Sequence, residues 1–302
     1  MLPLIHHPAY DAATVPDKHR FPMRKYSLVA AELRSRGYTF DRPDPAPMSW
    51  LKRVHRPEYV DAVMDGTLDP KAMRKIGFDV TSAVAQRAQA SVGGTVLAAR
   101  RALERGAAVN LAGGSHHAST EGGAGFCVFN DVAVAARQLI AENRVADIAV
   151  IDLDVHQGDG TALIFAHDPS VFTASMHCEK NWPRFKPSSD LDRGLPVDLS
   201  DADYLSELEA LLTSVFDNAK PDLVFYNAGV DPHTDDRLGL LSLSDEGLKA
   251  RERAVAEACH ARGIPVCGVL GGGYQADASA VAHRHTFLVE AFASQFTSEP
   301  IR

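Results

Sequence analysis

Apolar residues Val84, Ala88, Val92, Val96, Ala99 and Leu103 recur every three or four positions until Gly106, the spacing of one buried helical face. This predicts a long helix over 81–106, following a loop near Gly77. Short apolar runs then alternate with helical patterns. Runs fall at 107–112, 148–153, 171–176, 223–226 and 264–270, and helices are predicted through 132–140, around Leu205, Leu208, Leu212 and Val215, and over 248–261. Such alternation builds an α/β fold: a mostly parallel sheet with helices on both faces. The first eighty residues are less regular, with a loop at Pro43, Pro45 and Pro47 and helices predicted at 24–36 and 57–64.

At ~150 residues per domain the length suggests two units, but α/β chains run to ~250 or more as one. No repeat, charge block or Gly/Ser linker interrupts the pattern, so residues 1–302 are read as a single domain. Composition adds exclusions. The net charge of −8 argues against direct nucleic-acid binding, which needs a dense basic surface to release counterions. No run approaches the ~18 apolar residues of a membrane span, and the N-terminus lacks a charged segment followed by an apolar one. A cytoplasmic protein without a membrane span is expected. Cys127, Cys178, Cys259 and Cys267 form no CxxC pair and read as free, buried thiols. No feature of the chain specifies an oligomeric state.

In parallel sheets ligands bind beyond the carboxyl ends of the strands. Four unusual motifs obey that rule: Gly113-Gly114-Ser115-His116-His117, Asp152-Leu153-Asp154-Val155-His156, Ala228-Gly229-Val230-Asp231 and Gly271-Gly272-Gly273-Tyr274. Side chains alternate along a strand, so Asp152, Asp154 and His156 are expected to point to one side and Leu153 and Val155 to the other. Two carboxylates and an imidazole gathered there repel and desolvate one another unless a cation joins them. The plain alternative is that Asp154 caps the next helix and His156 is a core histidine. A catalytic zinc takes three protein ligands, and Asp231 is the best third, although an Asp before Pro232 also suits a turn. Asp235 and Asp236 are expected to be solvated, and His6 and His7 to be structural or exposed.

His116 and His117 offer a base and an assisting acid, with Asp152 and Asp159 as the carboxylates behind them. Zinc ligation by one of the pair, or hydrogen bonding in a tight turn, are the alternatives. The three glycines at 271–273 allow a sharp turn that presents Tyr274, whose phenol suits an oxyanion; neither GxGxxG nor GxxxxGK[ST] is present to support a phosphate loop.

The segments NLAGGSHHAS (110–119), GFCVFND (125–131), DLDVHQGDG (152–160), NAGVD (227–231) and LGGGY (270–274) resemble, in order, those of the histone deacetylase family, zinc-dependent lysine deacylases of the arginase-deacetylase fold. The glycine-rich turn 112–115 departs from the proline-rich turn of many eukaryotic members and, with SVGGTVLAARRALERG (91–106), looks more like the class IV branch and its bacterial relatives. The resemblance implies one deacetylase-like catalytic domain that removes acetyl or longer fatty acyl groups from lysine in a protein or peptide. It implies Asp154, His156 and Asp231 as ligands of Zn²⁺, with Fe²⁺ as the other metal, and a structural K⁺ beside Asp152, Asp154, His156, Ser175 and Met176. It implies His117 as general base held by Asp159, His116 as a second histidine held by Asp152, and Tyr274 as oxyanion donor. Phe126 and Gly125 would line the acyl-lysine tunnel, with Trp182 opposite and Gly272 in the last turn also set against the substrate.

Three rivals share parts of this pattern. An arginase-like two-manganese hydrolase needs further aspartates where this chain has Gly158 and Gly229. An amidohydrolase for acetylpolyamine or another acylated small amine would share the catalytic residues and differ at the entrance. A non-catalytic acyl-lysine binder would have no need of both histidines, three ligands and the tyrosine.

Overall fold

The structure is a computed structural model that describes residues 1–11, 15 and 19–297. The strands are β1 (Leu4–Ile5), β2 (Ala107–Asn110), β3 (Ile148–Asp152), β4 (Val171–Cys178), β5 (Leu191–Leu195), β6 (Leu223–Asn227) and β7 (Val266–Val269). They form one sheet in the order β1-β2-β7-β6-β3-β4-β5, and every pairing is parallel rather than mostly so. The central strands are buried throughout, which is why they read as continuous apolar runs instead of alternating ones.

The helices are α1 (Lys25–Ser35), α2 (Met48–Leu51), α3 (Pro57–Met64), α4 (Pro70–Ile76), α5 (Ser82–Arg105), α6 (Asp131–Ala141), α7 (Asp159–Phe165), α8 (Asp201–Asn218), α9 (Asp245–His260) and α10 (Ala278–Phe296). α5 is the long helix that the periodicity predicts. The Thr81 hydroxyl caps its first turn by accepting from Val84 N–H, and Gly106 ends it in a positive-φ conformation. It packs on α6 and on β2 and β7, while α10 packs on α1 and α9 and α8 packs on α9, so the sheet lies between two helical layers. Among the described residues no helix is long and apolar enough to cross a membrane.

This topology fixes where chemistry collects. From β3 the chain proceeds outward to β4 and β5, then returns to place β6 on the other side of β3. The crevice between β3 and β6 is therefore a switch point at which the connecting loops diverge. The strands that precede the four motifs, β2, β7, β6 and β3, are contiguous in the sheet. Their carboxyl ends open onto one place.

Candidate active site

β3 stops at Asp152, so pleat alternation does not align Asp152, Asp154 and His156 as the sequence suggests. A loop of side-chain-stabilised turns does it instead: Asp154 N–H donates to Asp152 Oδ1 (3.1 Å) and His156 N–H to Asp154 Oδ1 (3.0 Å). Asp154 caps no helix, since α7 starts at Asp159 after Gly158. Asp231 lies four residues beyond β6, and its Oδ1 accepts from Val155 N–H (2.9 Å), tying the two loops together. His156 Nδ1 stands 3.1 Å from Asp154 Oδ1 and 3.1 Å from Asp231 Oδ2, and all three residues are buried.

That donor set fits a divalent ion. Bonds of ~2.0–2.2 Å in a tetrahedron set ligand atoms roughly 3.3–3.6 Å apart, a little wider than the two 3.1 Å separations at His156 Nδ1. The protonation preferences of the cluster point the same way. Burial and the Asp154 carboxylate push Asp231 up to about 7. His156 resists its own burial and rises to about 10 because both carboxylates hold its proton. Asp154, despite burial, is held below the usual carboxylate range by the charges of His116 and His156. Excess negative charge is thus compensated by a proton at the point where a cation fits. Gly229 and Gly158 leave no room for more carboxylates: an added Cβ would lie 2.3 Å from Asp154 Oδ2 at the first and 2.4 Å from Asp152 Oδ2 at the second.

The turn after β2 carries the two histidines. Gly113 and Gly114 have φ of +83° and +80°, and a Cβ on Gly114 would meet the Gly271 backbone at 2.5 Å, so the turn packs directly against the one after β7. Asp131, at the start of α6, holds this turn by accepting from Ser115 N–H (2.8 Å) and Gly114 N–H (3.2 Å). His116 Nδ1 lies 2.7 Å from Asp152 Oδ2, and His117 Nδ1 lies 2.6 Å from Asp159 Oδ1. Both expected pairings are therefore present. Asn227 Nδ2 donates to Asp152 Oδ1 (3.0 Å), a contact that the sequence reading did not single out.

The ring centroids of His116 and His117 are 4.0 Å apart, yet their environments differ. Burial and the neighbouring His116 lower His117 to about 4. His116 is buried too, but Asp152 and Asp154 outweigh that and raise it to about 9. The two environments thus favour opposite forms, neutral at His117 and protonated at His116.

After β7, Gly272 N–H donates to Asp154 Oδ2 (2.7 Å), and a Cβ there would sit 2.1 Å from Asp231 Oδ2. Gly272, expected against the substrate, accordingly lies against the Asp154 and Asp231 carboxylates and is not among the residues that line the cavity described below. Tyr274 does reach the pocket; burial and then Asp154 and Asp231 keep its phenol protonated well above the usual range. Asp236, expected to be solvated, is half-buried instead and accepts from Tyr274 N–H (2.6 Å), whereas Asp235 beside it is exposed. Lys25, which no motif marks, is a further member of the site. It is fully buried, its ammonium donates to Gly271 C=O (2.7 Å), and burial lowers it to about 8 against the pull of Asp231 and Asp154.

Of these groups, His117, His156 and Tyr274 reach a cavity of about 310 Å³ that is also lined by Arg20, Gly125, Phe126, Asn181, Trp182 and Leu238. Gly125 and Phe126 are consecutive positive-φ residues (51° and 68°), held by N–H bonds to the carbonyls of Lys75 and Ile76 at the end of α4. Phe126 stacks on Phe78, and Trp182 stands edge-on to His117 with centroids 4.5 Å apart. Phe126 and Trp182 are thus brought to one cavity as expected, while Arg20, Asn181 and Leu238 are additions from loops without motif character. Ser175 and Met176 lie on β4, where Ser175 pairs in register with Asp152. His6 and His7 are buried near the N-terminus and the four cysteines are free and buried.

Comparison with known proteins places this geometry in context. A family model described as the histone deacetylase domain matches residues 19–289. An uncharacterised protein of Picosynechococcus sp. is 48% identical over 293 residues, covering 95% of this chain and 96% of its own length. Histone deacetylase 2 of Arabidopsis thaliana is 29% identical over 293 residues, covering 92% of this chain and 76% of the relative. The crystal structure of the HDA15 HD domain superposes with a TM-score of 0.78 at 21% identity, over 98% of this chain and 97% of that one, a likeness of fold.

Proposed function

Because the chain belongs to the histone deacetylase family, we propose that it hydrolyses the side-chain amide of acyl-lysine in a protein or peptide, with one divalent ion held by Asp154, His156 and Asp231. The observation that carries this reading is the meeting of that buried trio with the His116 and His117 pair at a cavity that His117, His156 and Tyr274 reach and Phe126 and Trp182 wall. The ion, zinc or ferrous iron, would polarise the amide carbonyl and acidify the attacking water.

The protein's own groups supply the rest. Aromatic walls suit the apolar lysine methylenes, leaving the amide to meet polar atoms at the floor. His117, with Nδ1 facing Asp159, keeps the other ring nitrogen free to take the water proton. His116, with Nδ1 2.7 Å from Asp152 Oδ2, is placed to hold a proton for the departing amine. Two titratable groups whose environments push their pKa values apart suit base and acid roles. The protonated Tyr274 phenol donates to the developing oxyanion. A structural potassium ion beside Asp152, Asp154, His156, Ser175 and Met176 belongs to the same proposal.

Two observations weigh against the rivals. The crowding at Gly158 and Gly229 disfavours a second catalytic metal. Among the described residues no carboxylate lines the cavity and Arg20 stands in its lining, a charge that does not favour a polycationic acetylpolyamine. The class IV-like turn at 112–115 motivates chains longer than acetyl. The test is a panel of peptides and polyamines carrying acetyl to myristoyl groups, with products measured by mass. Turnover of acyl-lysine peptides is expected; turnover confined to acetylpolyamines would transfer the assignment to the small-amine reading.

A further inference from the structure

We propose that Asp236 is a positioning residue that sets the Tyr274 phenol and the Leu238 wall of the cavity relative to each other. This rests on the deacylase reading above. The turn bearing Tyr274 and the loop after β6 come from different strands, and the Asp236 carboxylate joins them. One oxygen, Oδ2, accepts from Tyr274 N–H (2.6 Å); the other accepts from Leu238 N–H (2.8 Å) and Gly239 N–H (2.9 Å). The next residue completes the clamp, since Arg237 Nε donates to Tyr274 C=O (2.9 Å). Both backbone polar groups of the tyrosine are therefore fixed by consecutive residues of one loop.

The junction extends to the opposite wall. Asn181 Nδ2 donates to Leu238 C=O (2.7 Å) and Asn181 Oδ1 accepts from Leu240 N–H (3.0 Å), and Asn181 directly precedes Trp182. Among the described residues the Tyr274 phenol makes no hydrogen bond with the protein, so its place is set by aromatic packing and by its backbone anchors. A hydroxyl that must meet an oxyanion needs such anchoring, because a misplacement of ~1 Å costs a rate factor on the order of 10².

Asparagine at this position has nearly the same volume but only one acceptor oxygen. Whichever way its amide turns, an NH₂ faces either Tyr274 N–H or the Leu238 and Gly239 pair. The measurement is kcat for wild type, Asp236→Asn, Tyr274→Phe and the double variant, each corrected for bound metal. Asp236→Asn is expected to lower kcat about tenfold or more when the phenol is present and less than about twofold in the Tyr274→Phe background, since coupled residues are non-additive. Arg237→Met, a change at an exposed side chain, should show a smaller loss with the same dependence and serves if Asp236→Asn does not fold. Equal losses in both backgrounds, or no loss in the first, would overturn the positioning role while leaving the deacylase reading intact. An inactive, metal-loaded wild type would remove both.

Discussion

His116 and His117 are neighbours in sequence with rings in contact, and the carboxylates behind them, with burial, separate their protonation. His117→Ala should therefore retain metal and lose activity by about 10²-fold, the scale of a positioned general base. Normal turnover of His117→Ala beside a dead His116→Ala would reverse the two roles. A second expectation concerns the trio. In the metal-free protein the two carboxylates hold a proton on His156 and burial with the Asp154 carboxylate raises Asp231, so metal must displace protons to bind and its affinity rises with pH. Competition with a chelator between pH 6 and 8 reads this slope; an affinity independent of pH would contradict it. At this scale the motif residues were legible because each stands where a strand is expected to end. Asp236 was not, since in sequence it differs in nothing from the exposed Asp235 beside it. Lys25 was hidden likewise, as a lone lysine opening an ordinary helix.

Among the elements, the apolar runs located the central strands and α5 within a few residues, because burial on both faces and a single helical stripe leave plain periodicities. The two outer strands were missed for a physical reason. β1 spans only two residues, and β5, Leu-Asp-Arg-Gly-Leu at the sheet edge, carries charges and a glycine that break any strand pattern. The loop after β3 was misjudged as continuing strand, since Asx turns reproduce over Asp152, Asp154 and His156 the spacing of a pleat. Tight apposition of such loops makes Gly229 informative. Alanine there meets no positive-φ strain but sets a methyl 2.3 Å from Asp154 Oδ2 and 2.9 Å from Asp231 Oδ1. Gly229→Ala should fold and bind metal about 10- to 100-fold more weakly, the range for disturbed ligand support. Unchanged affinity by chelator competition would show that the two loops are looser than this packing implies.

For the whole molecule, one contiguous block of four parallel strands brings the buried Asp154, His156 and Asp231 together with His116, His117 and Tyr274, and His117, His156 and Tyr274 reach one cavity. Order along the chain was enough to recognise the family, whereas the cavity walls from Asn181 and Leu238 needed the fold, because nothing in their loops marks them. The central claim is that one divalent ion per chain, seated by Asp154, His156 and Asp231, supports acyl-lysine hydrolysis. It is tested most directly by stripping the protein of metal and following deacylation as Zn²⁺ or Fe²⁺ is returned in measured amounts. Turnover is predicted to rise from near zero and level off at one bound ion per chain, and to stay near zero in Asp154→Ala and Asp231→Ala. Full turnover by the stripped protein, or activity that keeps rising to two bound ions, would contradict the account.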